Sequence, residues 1–135
     1  MVPTLVPRDE AGSVWPYVAP WLAEALDRYG DYSIEDARAL VDDGIWRLWF
    51  AADDAGLVGA ALTEVSEYPR RRVLWVVAAG GRAREGIEAL WPLLRRYAAS
   101  QGCGVVRLLG RRGWMRSGVL PEGARHDADI VSVEV

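Results

Sequence analysis

The segment Gly110-Arg111-Arg112-Gly113-Trp114 is the sharpest local feature that could bind a ligand. It follows a predicted strand, Val105 to Leu109, and in open α/β sheets the carboxyl ends of strands border the ligand crevice. Arg111 could hold an anionic group while Trp114 forms a wall of a pocket. Equally, Trp114 could plug the sheet while Arg111 caps carbonyl groups. The sequence leaves both interpretations open.

Several other kinds of chemistry are excluded by residue counts. The single cysteine, Cys103, cannot form an internal disulfide or by itself a zinc site, and its setting is typical of a buried free thiol. All 16 basic residues are arginine, so no lysine can form a Schiff base. The only histidine, His126, is far from Cys103 in sequence. We expect neither a metal site nor a catalytic thiol.

The composition of the 135 residues is that of an ordinary globular domain, with 51% apolar residues and a net charge of −3. We expect residues 1–135 to form one domain. The charge argues against a nucleic-acid binder, and Arg70 to Arg72 is more typical of solvated surface. No apolar stretch approaches the roughly 20 residues of a membrane span, and the N-terminus does not resemble a signal peptide. The expected location is the cytoplasm.

The first half of the chain predicts an edge strand, two helices and the start of a sheet. Val2 to Val6 fits a short edge strand, where proline is tolerated. Apolar residues at helical spacing predict a helix from Val14 to Tyr29 capped by Ser13, with a break or kink just before Pro20. Ser33 is a natural cap for the second helix.

Three extended segments follow and are joined by short turns. They are Ile45 to Ala52, Leu57 to Val65 and Val73 to Ala79. Asp53 to Gly56 predicts a hairpin loop of about four residues, and Tyr68-Pro69-Arg70 marks a second turn. The segments therefore predict an antiparallel meander.

The rest of the chain predicts a crossover and a last strand. A helix is expected from about Arg84 to Ser100, either bent at Pro92 or regular only from about Leu90. The strand Val105 to Leu109 should lie parallel to the last meander strand, through a right-handed crossover. Arg111 to Met115 fits a short helical turn, and Ala128 to Val135 alternates as a final strand.

Trp46 and Trp49 must point to opposite faces of their strand. We expect a helix to cover one of them and the other to be exposed. Such an exposed aromatic face would suit a partner or a homodimer contact.

This order of elements resembles the acetyltransferase-like fold of the GNAT superfamily over nearly the whole chain. The chain is similar in particular to small GNAT-like proteins of bacteriophages and prophages. The segments that carry this likeness are 44–49, 63–69, 79–81, 98–103 and 110–114. The resemblance implies an α+β fold of three-layer α/β type, in which a mixed sheet contains the meander, a β-α-β crossover and helices on both faces.

The resemblance also implies a site for acetyl-coenzyme A where two parallel strands splay apart. The pantetheine would pair with the strand Val73 to Ala79, and the pyrophosphate would rest on amides near the start of the next helix. The implied cofactor residues are Val76, Val77, Ala78, Gly80, Gly81, Arg82, Arg84 and Gly86. The spacing of Gly80 to Gly86 departs from the family's usual loop, and Glu85 adds a negative charge there.

The catalytic residues implied by the resemblance are fewer than such an enzyme normally has. Glu64 is the candidate base because its strand should face the acceptor, although a solvent-facing strand residue is the alternative. Glu67 and Tyr68 could shape the acceptor pocket, with Tyr68 also a catalytic candidate. Family members often use a tyrosine in the last short helix to protonate the leaving thiolate, and 110–123 contains none.

Three functions therefore remain open. The first is an acyl-CoA-dependent N-acetyltransferase that acts on a small-molecule or protein amine. The second is a non-catalytic GNAT-fold binding module of phage or prophage context, which the altered loop and the absent tyrosine favour. The third, nucleic-acid association through Arg70 to Arg72, is the least favoured because the chain is acidic.

Overall fold

The computed structural model describes residues 1–110 and 112–135 and contains one five-stranded mixed sheet. Its strands are β1 (Val2–Leu5), β2 (Arg47–Asp53), β3 (Gly56–Tyr68), β4 (Arg71–Gly81) and β5 (Val105–Leu108). Their order in space is their order in sequence. Strands β1 to β4 are antiparallel neighbours, whereas β5 lies parallel to β4. The predicted edge strand, meander and parallel crossover are all confirmed.

Helices cover both faces of the sheet, as predicted. They are α1 (Ala11–Asp27), α2 (Ile34–Asp42), α3 (Arg84–Ser100) and α4 (Arg112–Ser117). Helices α1 and α2 pack on one face, which we call the α1 face, and α3 packs on the other, the α3 face. The strands are longer in the middle of the sheet than at its edges.

Trp46 and Trp49 belong to different cores, because the side chains before and along β2 alternate between the two faces. Trp46 packs with Leu22 and Leu62 on the α1 face. Trp49 packs on the α3 face, where its indole Nε1 donates a 2.8 Å hydrogen bond to the buried hydroxyl of Thr63. Their opposite orientation is confirmed. The predicted exposure of one of them is wrong, since both are at most 1% exposed.

Prolines do not interrupt the helices in which they occur, contrary to the break expected before Pro20. Helix α1 runs through Pro16 and Pro20, and α3 runs through Pro92. All three prolines lie on exposed positions. Water can therefore solvate the carbonyl groups that lose their N–H partner, and the helix continues.

The predicted caps of the first two helices have different outcomes. Ser13 lies inside α1, where its hydroxyl donates to the carbonyl of Glu10, so its prediction as a cap is wrong. Ser33 does cap α2: its Oγ accepts from the amide of Asp36, and the Asp36 carboxylate accepts from the Ser33 amide. That amide, followed by the Ser33 hydroxyl, lowers the pKa of Asp36 below its usual value.

Two extended-segment predictions need correction. The loop between β2 and β3 contains only two residues, Asp54 and Ala55, because both strands extend into the predicted turn and Gly56 adopts a φ of +123°. Residues 128–135 form no strand, although their sequence alternates. No helix in the described ranges 1–110 and 112–135 combines the length and the apolar character needed to cross a membrane.

Candidate functional site

The parallel strands β4 and β5 separate after Val76 of β4 and Leu108 of β5. They pair from Val73 opposite Val105 to Val76 opposite Leu108, whereas β4 continues to Gly81. Within the described part of the chain, no strand pairs with this last part of β4 on its β5 side. Among the described residues, the backbone groups of 77–81 on that side therefore have no strand partner.

A β-bulge lies where the separation begins. Opposite β3, Leu62 pairs with Ala78 and Thr63 pairs with Val76, so Val77 is the extra residue of the bulge. A bulge bends its strand and increases its twist, and bulges are common beside active sites. The bulge thus lies next to the point where β4 ceases to pair with β5.

The glycines at the end of β4 and the start of α3 allow the backbones to approach closely. A Cβ atom on Gly86 would lie 2.8 Å from the amide nitrogen of Gly59, and one on Gly81 would overlap the carbonyl oxygen of Val58. A Cβ on Gly80 would lie 3.0 Å from the carbonyl oxygen of Trp21. These glycines are therefore needed for packing against β3 and α1, whatever they also offer to a ligand.

The N-terminus of α3 offers free amide donors. Its N-cap, Ala83, has no capping side chain. The amide of Arg82 already donates to Val58, at 2.9 Å, and that of Gly86 donates to Ala83, at 3.2 Å. The amides of Arg84 and Glu85 precede the first hydrogen bond along the helix, so they remain for an anion.

The guanidinium groups of Arg82 and Arg84 are held by protein groups. Arg82 donates to the carbonyl of Leu57 and to both carboxylate oxygens of Asp53, at 2.9 to 3.1 Å. Together with the Ala55 amide, which contributes most, Arg82 lowers the pKa of Asp53. Arg84 donates to the carbonyl of Ser117 at 2.6 Å and pairs with Glu88 at 3.2 Å, so it links α3 to α4.

A cavity of about 160 Å³ opens on the α1 face at the separation of β4 and β5. Its lining residues are Leu26, Tyr29, Asp31, Tyr32, Trp75, Val76, Val77 and Leu109. Of these, the sequence predicts only Val76 and Val77 as site residues. The signal it missed is the connection between α1 and α2, where Tyr29, Asp31 and Tyr32 place two aromatic rings and a carboxylate within four residues.

Glu64 is adjacent to two aromatic residues that line this cavity: directly to Trp75 and, through Trp46, to Tyr32. It is opposite Trp75 in the pairing of β3 with β4, and Trp75 lines the cavity. Its Oε2 accepts a 2.9 Å hydrogen bond from the indole Nε1 of Trp46. The Trp46 ring in turn meets the ring of Tyr32, another lining residue, edge to face with centroids 4.8 Å apart. Glu64 is half-buried and held on the α1 face.

The other sequence-selected residues lie at different places. Tyr68 is on the α1 face, where its hydroxyl accepts a 3.0 Å hydrogen bond from Trp75 Nε1. Glu67 is exposed on the opposite face, 3.5 Å from Arg72. Trp114 packs at the rim of the α3-face core, as in the sheet-plugging interpretation. Arg111 lies outside the described residues.

Arg107 extends the row of polar and aromatic groups across the sheet. It is opposite Trp75 in the pairing of β4 with β5, and its guanidinium lies 5.9 Å from the Trp75 ring centroid. Its Nε is buried without a hydrogen bond and lies 3.8 Å from Asp127. Glu64, Trp75 and Arg107 thus form a continuous cross-strand row beside the cavity.

Neither a thiol site nor a metal cluster accompanies this row. Cys103 is buried as a free thiol just after α3. Within the described residues, no three histidine, cysteine, aspartate or glutamate side chains are close enough together to hold a metal ion.

The sequence matches no protein-family model and no curated protein. Solved structures, by contrast, match over nearly the full length of the chain. Ribosomal-protein-alanine N-acetyltransferase from Brucella melitensis biovar Abortus 2308 is 22% identical, with a TM-score of 0.69 over 99% of this chain and 96% of that one. The protein TTHA1254 from Thermus thermophilus is 16% identical, with a TM-score of 0.68 over 100% and 97%.

An aminoglycoside acetyltransferase from an uncultured soil metagenomic sample, solved with sisomicin, is 11% identical, with a TM-score of 0.67 over 99% and 96%. Identities this low establish a shared fold, and the acceptors named for these proteins are properties of those proteins. Together with the sheet order, the separated parallel strands and the helices on both faces, the likeness leads to one conclusion. The chain has the fold of the GNAT acetyltransferases.

Proposed function

We propose that this protein is an acetyl-CoA-dependent N-acetyltransferase. The observation that carries the proposal is the opening between β4 and β5. Free backbone of β4 lies on one side of it, and a cavity with aromatic and acidic walls lies on the α1 face at the same residues. A cofactor and an acceptor could meet there from the two sides of the sheet.

The backbone groups at the opening are better suited to bind acetyl-CoA than are the side chains of Arg82 and Arg84. Residues 77–81 would pair with the amide groups of the pantetheine, and the free amides of Arg84 and Glu85 would receive the pyrophosphate. Arg82 and Arg84 would have to leave their present carboxylate and carbonyl partners to reach a phosphate. We therefore assign the anion site to the amides, and the arginines to holding the loop.

The cavity suits an acceptor that carries a protonated amine. Asp31 and the neighbouring Glu64 supply negative charge, and the faces of Trp75 and the two tyrosines attract cations. Apolar walls from Leu26 and Val77 would exclude water from the amine. The acceptor class is therefore a small primary amine or the end of an exposed peptide.

The chemistry requires removal of a proton from the acceptor, stabilisation of an oxyanion and protonation of a leaving thiolate. Acetyl-CoA, when bound, supplies the activated acetyl thioester. We assign Glu64 as the group that takes the proton from the ammonium, because Trp46 holds one of its oxygens and leaves the other for this role. The hydroxyl of Tyr68 accepts from Trp75 and retains its own proton to donate.

Calorimetric titration with acetyl-CoA tests the proposal, accompanied by thermal melting with and without the ligand. We expect binding in the micromolar range, a raised melting temperature, and thiol release when a panel of primary amines is added. Free acetate at the same concentration is the control and should have no effect. The absence of both binding heat and a melting shift at high micromolar acetyl-CoA would refute the proposal that this protein is an acetyltransferase.

A non-catalytic GNAT-fold binding module is the second candidate. Its support is the engagement of both loop arginines by protein groups and the packing of Trp114 against the α3-face core, with no tyrosine in 110–123. Under this alternative, ligands would bind at the same opening without turnover. Turnover that disappears in Glu64→Ala would exclude it.

The wider setting is proposed on sequence grounds. We propose that residues 1–135 act as one unit in the cytoplasm and that the protein is related to the GNAT-like proteins of phages and prophages, with nucleic acid not among its partners. We also propose a homodimer. The exposed tryptophan that would have supported it is not found, since Trp46 and Trp49 are both buried.

A further inference from the structure

Three aromatic rings and one carboxylate line the cavity of about 160 Å³ on the α1 face. Tyr29 and Tyr32 come from the connection between α1 and α2, Trp75 comes from β4, and Asp31 lies between the two tyrosines in sequence. The other lining residues are aliphatic, and the wall is mostly apolar. Aromatic faces attract cations, and several rings around one apolar space are the usual recognition element for quaternary ammonium groups.

Two of the three rings are held in place by neighbouring side chains. The ring of Tyr32 packs edge to face on that of Trp46, with centroids 4.8 Å apart. The indole Nε1 of Trp75 donates a 3.0 Å hydrogen bond to the hydroxyl of Tyr68. Tyr29 is 51% exposed and Tyr32 is 42% exposed, so a bound group would cover ring surface that now faces solvent. Walls that are already ordered lower the entropic cost of binding.

The electrostatic surroundings of the cavity favour a positive charge. Leu26, a lining residue, belongs to the last turn of α1, and the carboxyl end of a helix attracts cations. The carboxylate of Asp31 adds a full negative charge to the wall. The guanidinium of Arg107 lies 5.9 Å from the Trp75 ring centroid, but the carboxylate of Asp127, 3.8 Å from the Arg107 Nε, offsets its charge.

The size and the apolar character of the cavity select an alkylated ammonium group over an unsubstituted one. An apolar cavity of about 150 Å³ binds benzene, and a trimethylammonium group has fewer non-hydrogen atoms than benzene. An unsubstituted ammonium group would bring N–H donors that need acceptors, whereas a trimethylammonium group has none to leave unpaired. We propose that this cavity binds the alkylated ammonium group of a small, choline-like ligand.

Under the proposed acetyltransferase function, on which this step rests, the alkylated ammonium is the group by which the acceptor is recognised. A quaternary nitrogen has no proton to lose and no free electron pair, so it cannot itself be acetylated. The reacting primary amine is then a second nitrogen of the same acceptor. It would lie beside Glu64, which is opposite Trp75 in the pairing of β3 with β4.

Calorimetric titration with choline chloride, without acetyl-CoA, tests the site. The ligand control is the uncharged analogue of choline in which carbon replaces the quaternary nitrogen, at the same chloride concentration. We expect choline to bind at least about fivefold more tightly than this analogue, because only choline makes cation–π contacts. Ammonium chloride should bind more weakly than choline. Equal affinity of choline with either control, or no binding of choline at millimolar concentration, would overturn the proposal.

Tyr32 provides a matched pair of variants. Tyr32→Phe keeps the ring and should keep the preference for choline, whereas Tyr32→Leu should lose most of it and still bind the uncharged analogue as wild type does. Tyr17→Leu is the control, because Tyr17 is 68% exposed and is not a lining residue. Equal choline affinity in Tyr32→Leu and Tyr17→Leu would overturn the site. Asp31→Asn, at an exposed position, should weaken choline binding alone and tests the same cavity if Tyr32→Leu does not fold.

Failure of this site and failure of the acetyltransferase are distinguishable. Choline binding without acetyl-CoA binding would refute the acetyltransferase and leave the cation site intact, and acetyl-CoA binding without choline binding would do the reverse. Where a primary amine is acetylated, choline should inhibit competitively against that amine. Inhibition of another type would overturn the assignment of the cation to the acceptor.

Discussion

The indole Nε1 of Trp46 donates a 2.9 Å hydrogen bond to Oε2 of Glu64, which fixes a carboxylate beside the cavity on the α1 face. Trp46 is buried, so the bond also satisfies an N–H group that would otherwise lack a partner. Glu64 thus has a structural role as well as its proposed catalytic one. The two roles are separable, because only the second requires a group that accepts a proton.

Replacing Glu64 by glutamine tests the catalytic role. Glutamine keeps an oxygen for Trp46 but cannot take a proton, so kcat should fall by about 100-fold or more while the fold is retained. Steady-state kinetics and thermal melting measure the two effects. Glu122→Gln, in an exposed loop, is the control and should leave both unchanged. Similar kcat values for Glu64→Gln and wild type would assign Glu64 to structure alone.

Truncation of Tyr29 tests the acceptor cavity. Tyr29 lines the cavity, so Tyr29→Ala should raise KM for the amine several-fold without changing KM for acetyl-CoA. Tyr17→Ala is the matched control, because Tyr17 is 68% exposed on α1 and is not a lining residue. If both KM values for Tyr29→Ala equal those of the control, the acceptor binds elsewhere.

Replacing Glu85 by glutamine tests whether the phosphates of acetyl-CoA bind at the start of α3. It is the second residue of that helix, and its negative charge should repel a bound pyrophosphate. Glu85→Gln should therefore tighten acetyl-CoA binding by about fivefold, since unit charges about 4 Å apart in water interact by about 1 kcal/mol. Glu35→Gln, at the equivalent position of α2, should leave the affinity unchanged. Calorimetry decides, and equal affinities for both variants would place the phosphates away from α3.

Close packing at the loop predicts a large stability effect at Gly86. In Gly86→Ala the new methyl group would lie 2.8 Å from backbone atoms of Val58 and Gly59, which cannot move as a flexible side chain can. We expect a loss of about 1–3 kcal/mol in the free energy of unfolding by urea. At Gly104, nothing lies within 4 Å of an added Cβ, so Gly104→Ala serves as the control. A neutral Gly86→Ala would contradict the packing role.

The capping box of α2 predicts how stability depends on pH. The folded pKa of Asp36 is lowered from 3.8, so folding favours the charged form. The stability it contributes is present above about pH 4 and is lost as pH falls through the lowered folded pKa. Asp36→Asn should therefore be less stable than wild type near neutral pH, and the difference should shrink in acid. Denaturation of both proteins at several pH values, with Glu35→Gln as control, measures it.

The sequence predicted a helix, strand or cap well where its formation depends on residues within a few positions along the chain. The Ser33 cap, the meander and the range of α3 follow from spacing, turn residues and capping chemistry within a few positions. The expected break before Pro20 did not occur, because the prolines of α1 are exposed and water can solvate the carbonyl groups that they leave unpaired. Which side of a helix is exposed depends on how that helix packs against the sheet, and this is a tertiary property. The predicted last strand did not form for a related reason: alternation predicts a strand, but a strand also needs a partner, and residues 130–135 join none of the five strands.

The candidate site depended on tertiary structure to a greater degree. The sequence by itself determined the fold class, the opposite orientation of Trp46 and Trp49, and a glycine-rich junction between β4 and α3. Only the three-dimensional fold brings Tyr32 close to Glu64 and Trp75, because Tyr32 lies in the connection between α1 and α2, whereas the other two lie on the later hairpin of β3 and β4. Likewise, only the fold shows that Arg82 binds Asp53 and that Arg84 binds the carbonyl of Ser117, since these two partners lie 29 and 33 residues away.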